Sequence, residues 1–273
     1  MRRGLPYDLV FAEHEAALKT AFCTLLALVL RFAWYDAQPL WTDEVITWEF
    51  ARADWPGLLW RQLYDASPPG FYLLLKAWLR VATATAELRW LPALCGAAAV
   101  PLTYALGRAA YSRAAGVLGA LLVAVNPLHL YYSNEVRYPT LLTLLVLTQA
   151  LLLLHALRDG RARWFAGFAL ATAAALWVQY TAGFFLLAEG AYVLWRYRRE
   201  RRMIFRFALA TTAALLLFAP WWTEFSLQWS RGKPSREFFG FFESLFLGPA
   251  FLLLGGSEWS LPTLLGVTPE QSL

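Results

Sequence analysis

The chain has 273 residues, of which 59% are hydrophobic and 16% charged, and its formal net charge is +5. Soluble domains carry about a quarter charged residues, so this composition excludes an ordinary soluble domain. The basic residues lie between long apolar runs, where they are typical of topology signals in a membrane protein and do not indicate nucleic-acid binding. Cys23 and Cys95 lie inside apolar runs, which argues against a disulfide framework or a thiolate metal site.

Eight apolar segments approach the length of about 20 residues that a helix needs to cross a bilayer. Tryptophans at their ends, such as Trp41 and Trp90, are typical of an aromatic belt at the membrane surface. We therefore predict an all-α fold, a polytopic transmembrane helical bundle that forms a single domain over residues 1–273. The predicted spans are residues 19–34, 90–107, 114–130, 138–157, 164–179, 180–195, 204–222 and 243–265.

The charges between the spans predict how the chain is oriented. Arginines cluster in three connections, at residues 108–113, 158–163 and 196–206. The positive-inside rule places these connections in the cytoplasm, and Arg2 and Arg3 place the N-terminus there as well. Residues 35–89 then form one long external loop. Its short apolar segment, residues 68–82, is predicted to be an interfacial helix on the outer surface.

The last predicted span is interrupted by Gly and Pro and is the weakest of the eight. The chain ends soon after it, at Leu273, which is compatible with a fragment of a longer protein. The two basic residues at the start precede several acidic residues and no small-residue cleavage site follows, so the first span is interpreted as a retained anchor.

Two adjacent carboxylates, Asp43 and Glu44, follow the first span by a few residues. One carboxylate could act as a general base toward an acceptor hydroxyl or amine while the other orients a cation or a donor group. The alternative is a solvated first turn of a helix, in which Asp43 or Thr42 serves as the cap.

A second polar cluster occupies the external turn around Glu135 and Arg137, beside Tyr138. A guanidinium next to aromatic rings suits a phosphorylated ligand, whereas the alternative is a local ion pair that caps the next helix. Arg89 precedes the second span as either a phosphate ligand or an interface anchor. Tyr180 lies in a polar break between two spans and is a candidate for lining a cavity.

Five motifs in this order resemble the type-C glycosyltransferases, in particular the branch that contains protein O-mannosyltransferases and the lipid A aminoarabinose transferase. The resemblance covers roughly residues 18–222. The motifs are LWTDE at 40–44, SPPGFYLLLK at 67–76, LRWLPALCG at 88–96, YALGR at 104–108 and NPLHLYYSNEVRYPTLL at 126–142.

The resemblance implies an enzyme that takes a sugar from a polyprenyl-phosphate donor and transfers it to a lipid, glycan or protein acceptor at the external, periplasmic face. The expected location is a bacterial inner membrane. The resemblance makes Asp43 the catalytic base or acceptor-orienting group and Glu44 the second member of the acidic pair. The donor phosphate is expected to contact cationic side chains, namely Arg137, Arg89 and Lys76. The remaining pocket residues are expected to be Glu135, Tyr138, Tyr72 and Tyr180.

No cofactor is required by the sequence. A divalent metal, Mg or Mn, could bridge the donor phosphate through Asp43 and Glu135. The alternative function is a transporter or flippase for a polyprenyl-linked substrate, and a membrane scaffold without activity is a third reading. A transporter is expected to carry polar residues deep within its spans. Spans three to six read as apolar in their middles, with polar residues at their outer ends, which favours a transferase.

Overall fold

The computed structural model of the chain describes residues 7–33, 39–62, 67–82 and 84–231. Within these residues the fold is an all-α helical bundle without strands. The predicted span at 243–265 lies outside the described residues, as does part of the long external loop. The α-helices are α1 (Tyr7–Phe32), α2 (Thr42–Arg52), α3 (Trp55–Gln62), α4 (Gly70–Trp78), α5 (Trp90–Ala110), α6 (Arg113–Val125), α7 (Pro127–Ser133), α8 (Pro139–Asp159), α9 (Ala162–Val178), α10 (Ala182–Arg196), α11 (Arg201–Phe218) and α12 (Trp222–Ser230).

Several of these helices begin and end where local chemistry requires it. Pro139 begins α8, at a position where the missing N–H costs nothing. Gly160 ends the same helix in the left-handed conformation, with a φ of 63°. Ser112 caps α6 by accepting a hydrogen bond from the Ala115 N–H at 3.1 Å. Short connections of this kind make consecutive helices antiparallel neighbours.

Three described helices are long and apolar enough to cross a membrane, namely Ala86–Ala110, Pro139–Asp159 and Arg201–Ser230. The predicted span at 114–130 is divided into α6 and α7, which meet at an angle of 58° and count together as a fourth. These apolar helices make the protein an integral membrane protein. Helices also occupy the other described spans, at α1, α9 and α10, and their full crossing of the bilayer stays a prediction.

The arginine-bearing connections meet at one end of the bundle. Glu13 of α1 accepts hydrogen bonds from Arg108 at 2.8 Å and from Arg113 at 2.5 Å. Arg206 donates to the Gly160 carbonyl at 2.6 Å, and Arg158 donates to a carbonyl at the end of α5. We call this end the arginine-rich end. The sequence placed the same connections on one side of the membrane.

The described parts of the long loop lie on the opposite end of the bundle. Helices α2 and α4 pack there on the ends of α5, α8 and α9. The backbone of α4 approaches that of α9 closely at Gly70. A Cβ at this position would collide with the Trp177 carbonyl of α9. The apolar cluster at this end contains Ala51, Phe71, Leu75, Leu88, Leu91, Cys95, Val136, Leu141 and Val178. The loop is therefore a cap on the bundle.

The middles of the spans are less apolar than the sequence analysis assumed. Gln149, in the middle of α8, is fully buried and donates to Glu189 of α10 at 2.5 Å. Hydropathy averaged along a segment hides a single polar residue among many apolar ones, so the prediction that spans three to six are apolar in their middles was wrong. The choice between transferase and transporter has to depend on other evidence.

Arg31 holds the break between α6 and α7. Its side chain is fully buried, and it donates to the Ala27, Ala124 and Val123 carbonyls and to the Ser133 hydroxyl at 3.0–3.3 Å. It also contacts His129 Nδ1 at 2.8 Å. The Val123 carbonyl would normally bond the N–H of residue 127, which is a proline and has none. Arg31 therefore supplies a donor that the broken helix lacks.

We expect Arg31→Met to lower the free energy of unfolding by about 3 kcal/mol, because methionine leaves several buried acceptors without a donor. Denaturation of the purified protein in mixed detergent micelles measures this change. The control is Lys19→Met on the same helix, since among the described residues Lys19 forms only an exposed pair with Glu15; this substitution should change the free energy by less than about 1 kcal/mol. Equal effects of the two substitutions would contradict this account of Arg31.

Candidate functional site

Glu44 is fully buried in the first turn of α2 and joins three segments of the chain. Its Oε2 accepts hydrogen bonds from the Trp41 N–H at 3.2 Å and from Arg89 Nη2 at 2.8 Å. Its Oε1 accepts from Arg89 Nε at 3.1 Å and from the Val136 N–H at 2.8 Å. A carboxylate offers about four acceptor positions, so this one is saturated. The arrangement suits a group that positions its neighbours.

Asp43 immediately precedes Glu44, but its side chain is partly exposed and faces Arg137. Its Oδ2 lies 2.9 Å from Arg137 Nη1, and the Asp43 side chain is 42% exposed. The Arg137 guanidinium is also close to two aromatic rings, at 5.7 Å from the centre of Trp41 and 5.8 Å from that of Tyr138. The structure thus brings together the two polar clusters that the sequence singled out, although 94 positions separate them in the chain.

Glu135 lies in the same turn as Arg137 and is buried, with an Oε2 that accepts no hydrogen bond from the described residues. Burial raises the pKa of the Glu135 carboxyl above its usual value, and the Glu44 and Asp43 charges act in the same direction. The Tyr131 hydroxyl and the Arg137 charge oppose this effect. Glu135 therefore holds a proton at higher pH than an ordinary glutamate does.

Two predicted residues lie away from this cluster. Lys76 of α4 donates to the Ala53 carbonyl at 2.5 Å, at the end of α2 that is about 14 Å along the helix from Asp43. The Tyr180 hydroxyl donates to Gln228 at 2.5 Å and belongs to the aromatic cluster around α12, beside a cavity of about 220 Å³. The structure does not bring either residue to the Asp43–Arg137 pair.

Tyr72 lies between these regions. It is buried on α4, and its ring centre is 5.6 Å from that of Phe50 in the second half of α2. The cluster that the structure does assemble consists of Asp43, Glu44, Arg89, Glu135, Arg137 and Tyr138.

Sequence reasoning missed two members of this site. Trp41 was interpreted only as an interfacial aromatic, whereas its ring also flanks the Arg137 guanidinium. Tyr131, on α7, approaches Glu135. Trp41 stands two residues before Asp43 and Tyr131 four residues before Glu135, so spacing to an acidic residue was the available signal.

Next to the cluster, a cavity of about 520 Å³ lies between α6, α7 and the start of α8. Tyr138 forms part of its wall, so the cavity reaches the residue beside Arg137. Among the described residues, no three side chains of His, Cys, Asp or Glu lie close enough together to hold a metal ion. A divalent cation here would need ligands from the substrate in addition to Asp43 and Glu135, as is common for Mg²⁺.

A family model described as dolichyl-phosphate-mannose-protein mannosyltransferase matches residues 66–223, more than half of the chain. The matched region includes Arg89, Glu135 and Arg137, and it begins after Asp43 and Glu44. A comparison with curated proteins finds no match to this chain.

We expect a large coupling energy between Glu44 and Arg89, since removing one partner leaves a buried charge without its counterion. Each of Glu44→Ala and Arg89→Ala should cost about 3–5 kcal/mol, and the double variant much less than their sum. The measurement is a double-mutant cycle on the free energy of unfolding. The exposed Glu49–Arg52 pair, at 3.8 Å, serves as the control and should couple by less than about 1 kcal/mol. Additive costs at Glu44 and Arg89 would contradict the buried pair.

Proposed function

Because the chain belongs to the dolichyl-phosphate-mannose-protein mannosyltransferase family, a family of membrane glycosyltransferases, we propose that it transfers a sugar from a polyprenyl-phosphate donor to an acceptor at the external face of the membrane. The observation that carries this proposal is the Asp43–Arg137 pair, a carboxylate beside a cation at the bundle end opposite the arginine-rich end.

The proposed reaction is a displacement at the anomeric carbon of the sugar. The bond between this carbon and the donor phosphate oxygen breaks, and a bond to the acceptor oxygen or nitrogen forms. Asp43 takes the proton that the acceptor loses. The lipid phosphate leaves with the bonding electron pair, and Arg137 stabilises its negative charge.

Arg137 is suited to the phosphate because little of its hydrogen-bonding capacity is used. A guanidinium has five N–H donors, and the described residues engage it at Nη1 only, through Asp43. The aromatic rings of Trp41 and Tyr138 fix its plane without consuming donors. A donor phosphate that binds the remaining N–H groups would lie close to the Asp43 carboxylate, which places the acceptor proton and the leaving group in one site.

The remaining members of the cluster have supporting roles in this proposal. Glu44 and Arg89 fix the start of α2 and the Val136 backbone, which sets the distance between Asp43 and Arg137. Glu135 is available as a second proton-holding group in the pocket. A metal bound through Asp43, Glu135 and the donor phosphate would add positive charge at the phosphate, and no step of the proposed reaction requires it.

One observation favours the alternative function, a transporter or flippase for a polyprenyl-linked substrate. The Gln149–Glu189 pair lies in the middle of two apolar helices, and polar side chains at that depth are common on transport pathways. A transporter does not need the charged cluster at the Asp43 end, whereas a transferase does, so we favour the transferase. We also propose a cytoplasmic N-terminus, which follows from the arginine distribution, and a bacterial inner membrane, which follows from the resemblance to the type-C glycosyltransferases.

We expect Asp43→Asn to reduce turnover about 100- to 10,000-fold, because asparagine keeps the size of the side chain and cannot accept the proton. Transfer from defined polyprenyl-phosphate sugars by the protein in reconstituted membranes measures this loss. The matched control is Glu49→Gln on the same helix, whose half-exposed side chain pairs only loosely with Arg52. Unchanged turnover in Asp43→Asn would remove Asp43 from the catalytic role and leave Glu135 as the next candidate base.

The orientation is tested by cysteine labelling in intact cells. A cysteine in place of Asp54, which is exposed after α2, should react with a membrane-impermeant maleimide from outside. A cysteine in place of Arg199, which is exposed after α10, should react only after permeabilisation. Background is low because Cys23 and Cys95 are buried. The opposite pattern would place the Asp43 end in the cytoplasm and overturn the external reaction.

A further inference from the structure

A basic cleft of about 550 Å³ opens at the far end of α2 from Asp43. Three cations line it: Arg52 at the end of α2, Lys76 on α4 and Arg80 just after α4. None of the described residues that line it is acidic, and Trp48 and Thr85 form part of its wall. The sequence grouped Lys76 with Arg137 as a donor-phosphate ligand, but the structure groups Lys76 with Arg52 and Arg80.

The three cations differ in how firmly they are held. Lys76 Nζ contacts the Ala51 and Ala53 carbonyls at the end of α2 and lies 5.6 Å from the Trp55 ring centre. These contacts hold the ammonium in place; the carbonyl dipoles at the end of α2 offset part of its charge, and no carboxylate of the described residues forms an ion pair with it. The Arg52 guanidinium lies 4.7 Å from the ring centre of Trp48. Two of the three charges are thus oriented before any ligand arrives.

Arg80 is exposed and has no partner among the described residues. Two carboxylates lie near the cleft. Glu49 is 3.8 Å from Arg52 with both side chains about half exposed, where an ion pair contributes little. The Glu87 carboxylate accepts a hydrogen bond from the Ala84 N–H at 3.1 Å. Neither carboxylate is among the residues that line the cleft, and the three cations are.

The surroundings of the cleft are those of a membrane surface. Helix α4 buries Phe71 and Leu75 against the bundle and carries Lys76 on another face. Trp55 and Trp60 of the neighbouring α3 are 58% and 62% exposed. Exposed indoles beside a basic amphipathic helix are typical of the headgroup layer. The cleft therefore lies where lipid phosphates are concentrated.

We infer that this cleft binds the phosphate of an anionic lipid headgroup, at a site separate from the Asp43–Arg137 pair. Two sources share this chemistry: the anionic phospholipids of the bilayer and a polyprenyl phosphate. The inference does not depend on the transferase proposal, because it requires only the three cations, the open cleft and its position at the membrane surface. A lipid held there would anchor the cap formed by α2 and α4 to the bilayer.

The test is native mass spectrometry of the full chain, purified and delipidated in a neutral detergent. Phosphatidylglycerol, a short-chain polyprenyl phosphate and net-neutral phosphatidylcholine are titrated in separate arms. Cations near a membrane surface contribute roughly fivefold each to anionic-lipid binding, so Arg52→Gln with Arg80→Gln should weaken it about 25-fold. Arg80→Gln alone, at a side chain without described partners, should weaken it about fivefold.

The matched control is Arg163→Gln, since Arg163 also lies 4.7 Å from a tryptophan ring but at the arginine-rich end of the bundle. Loss of phosphatidylglycerol binding in the double variant and not in Arg163→Gln supports a phospholipid site. The same selective loss with polyprenyl phosphate alone supports a site for that lipid. Unchanged binding of both lipids in the double variant, or an equal loss in Arg163→Gln, overturns the inference. Transfer activity measured in parallel shows separately whether the proposed function holds.

Discussion

The candidate site depends on one buried ion pair, between Glu44 and Arg89. Burying two charges is expensive, and the Glu44 carboxylate offsets that cost only because four hydrogen bonds reach its two oxygens. Those bonds come from the loop before α2, the residue before α5 and the turn before α8. The pair therefore fixes the relative positions of three segments that are remote in the chain, and a change at any one would move the other two.

The position of the turn before α8 also depends on α7, which precedes it, and Arg31 of α1 fixes the end of α7. Pro127 ends α6 and leaves a carbonyl without a donor, which Arg31 satisfies from α1 while it also bonds Ser133 at the end of α7. Gly96 makes room for this contact, because a Cβ there would meet the Ser133 hydroxyl and Arg31 Nε. A buried cation in α1 thus sets where α7 ends, and the turn with Glu135 and Arg137 starts there.

The sequence predicted the fold class, and each predicted span within the described residues overlaps a helix, although α1 begins at Tyr7, well before its predicted start at residue 19. It could not predict the break in the third span, because hydropathy does not register that Pro127 and Asn126 begin a new helix. Within the site, the order of motifs predicted that Asp43 and Arg137 converge, whereas the structure places Lys76 at the other end of α2. The spacing of residues along α4 does not predict which end of α2 Lys76 contacts. The packing of Gly70 against the Trp177 backbone decides this position.

The contrast between Asp43 and Glu44 shows why chemical type alone does not identify a reactive group. Consecutive residues on a helix point about 100° apart, so the burial of one carboxylate leaves its neighbour at the rim. Glu44 has its acceptor positions filled by four donors, whereas Asp43 has one cationic partner among the described residues and contact with solvent. The residue that is best anchored is thus the one least able to react. The same buried pair that anchors Glu44 also fixes the start of α2, which holds Asp43 beside Arg137.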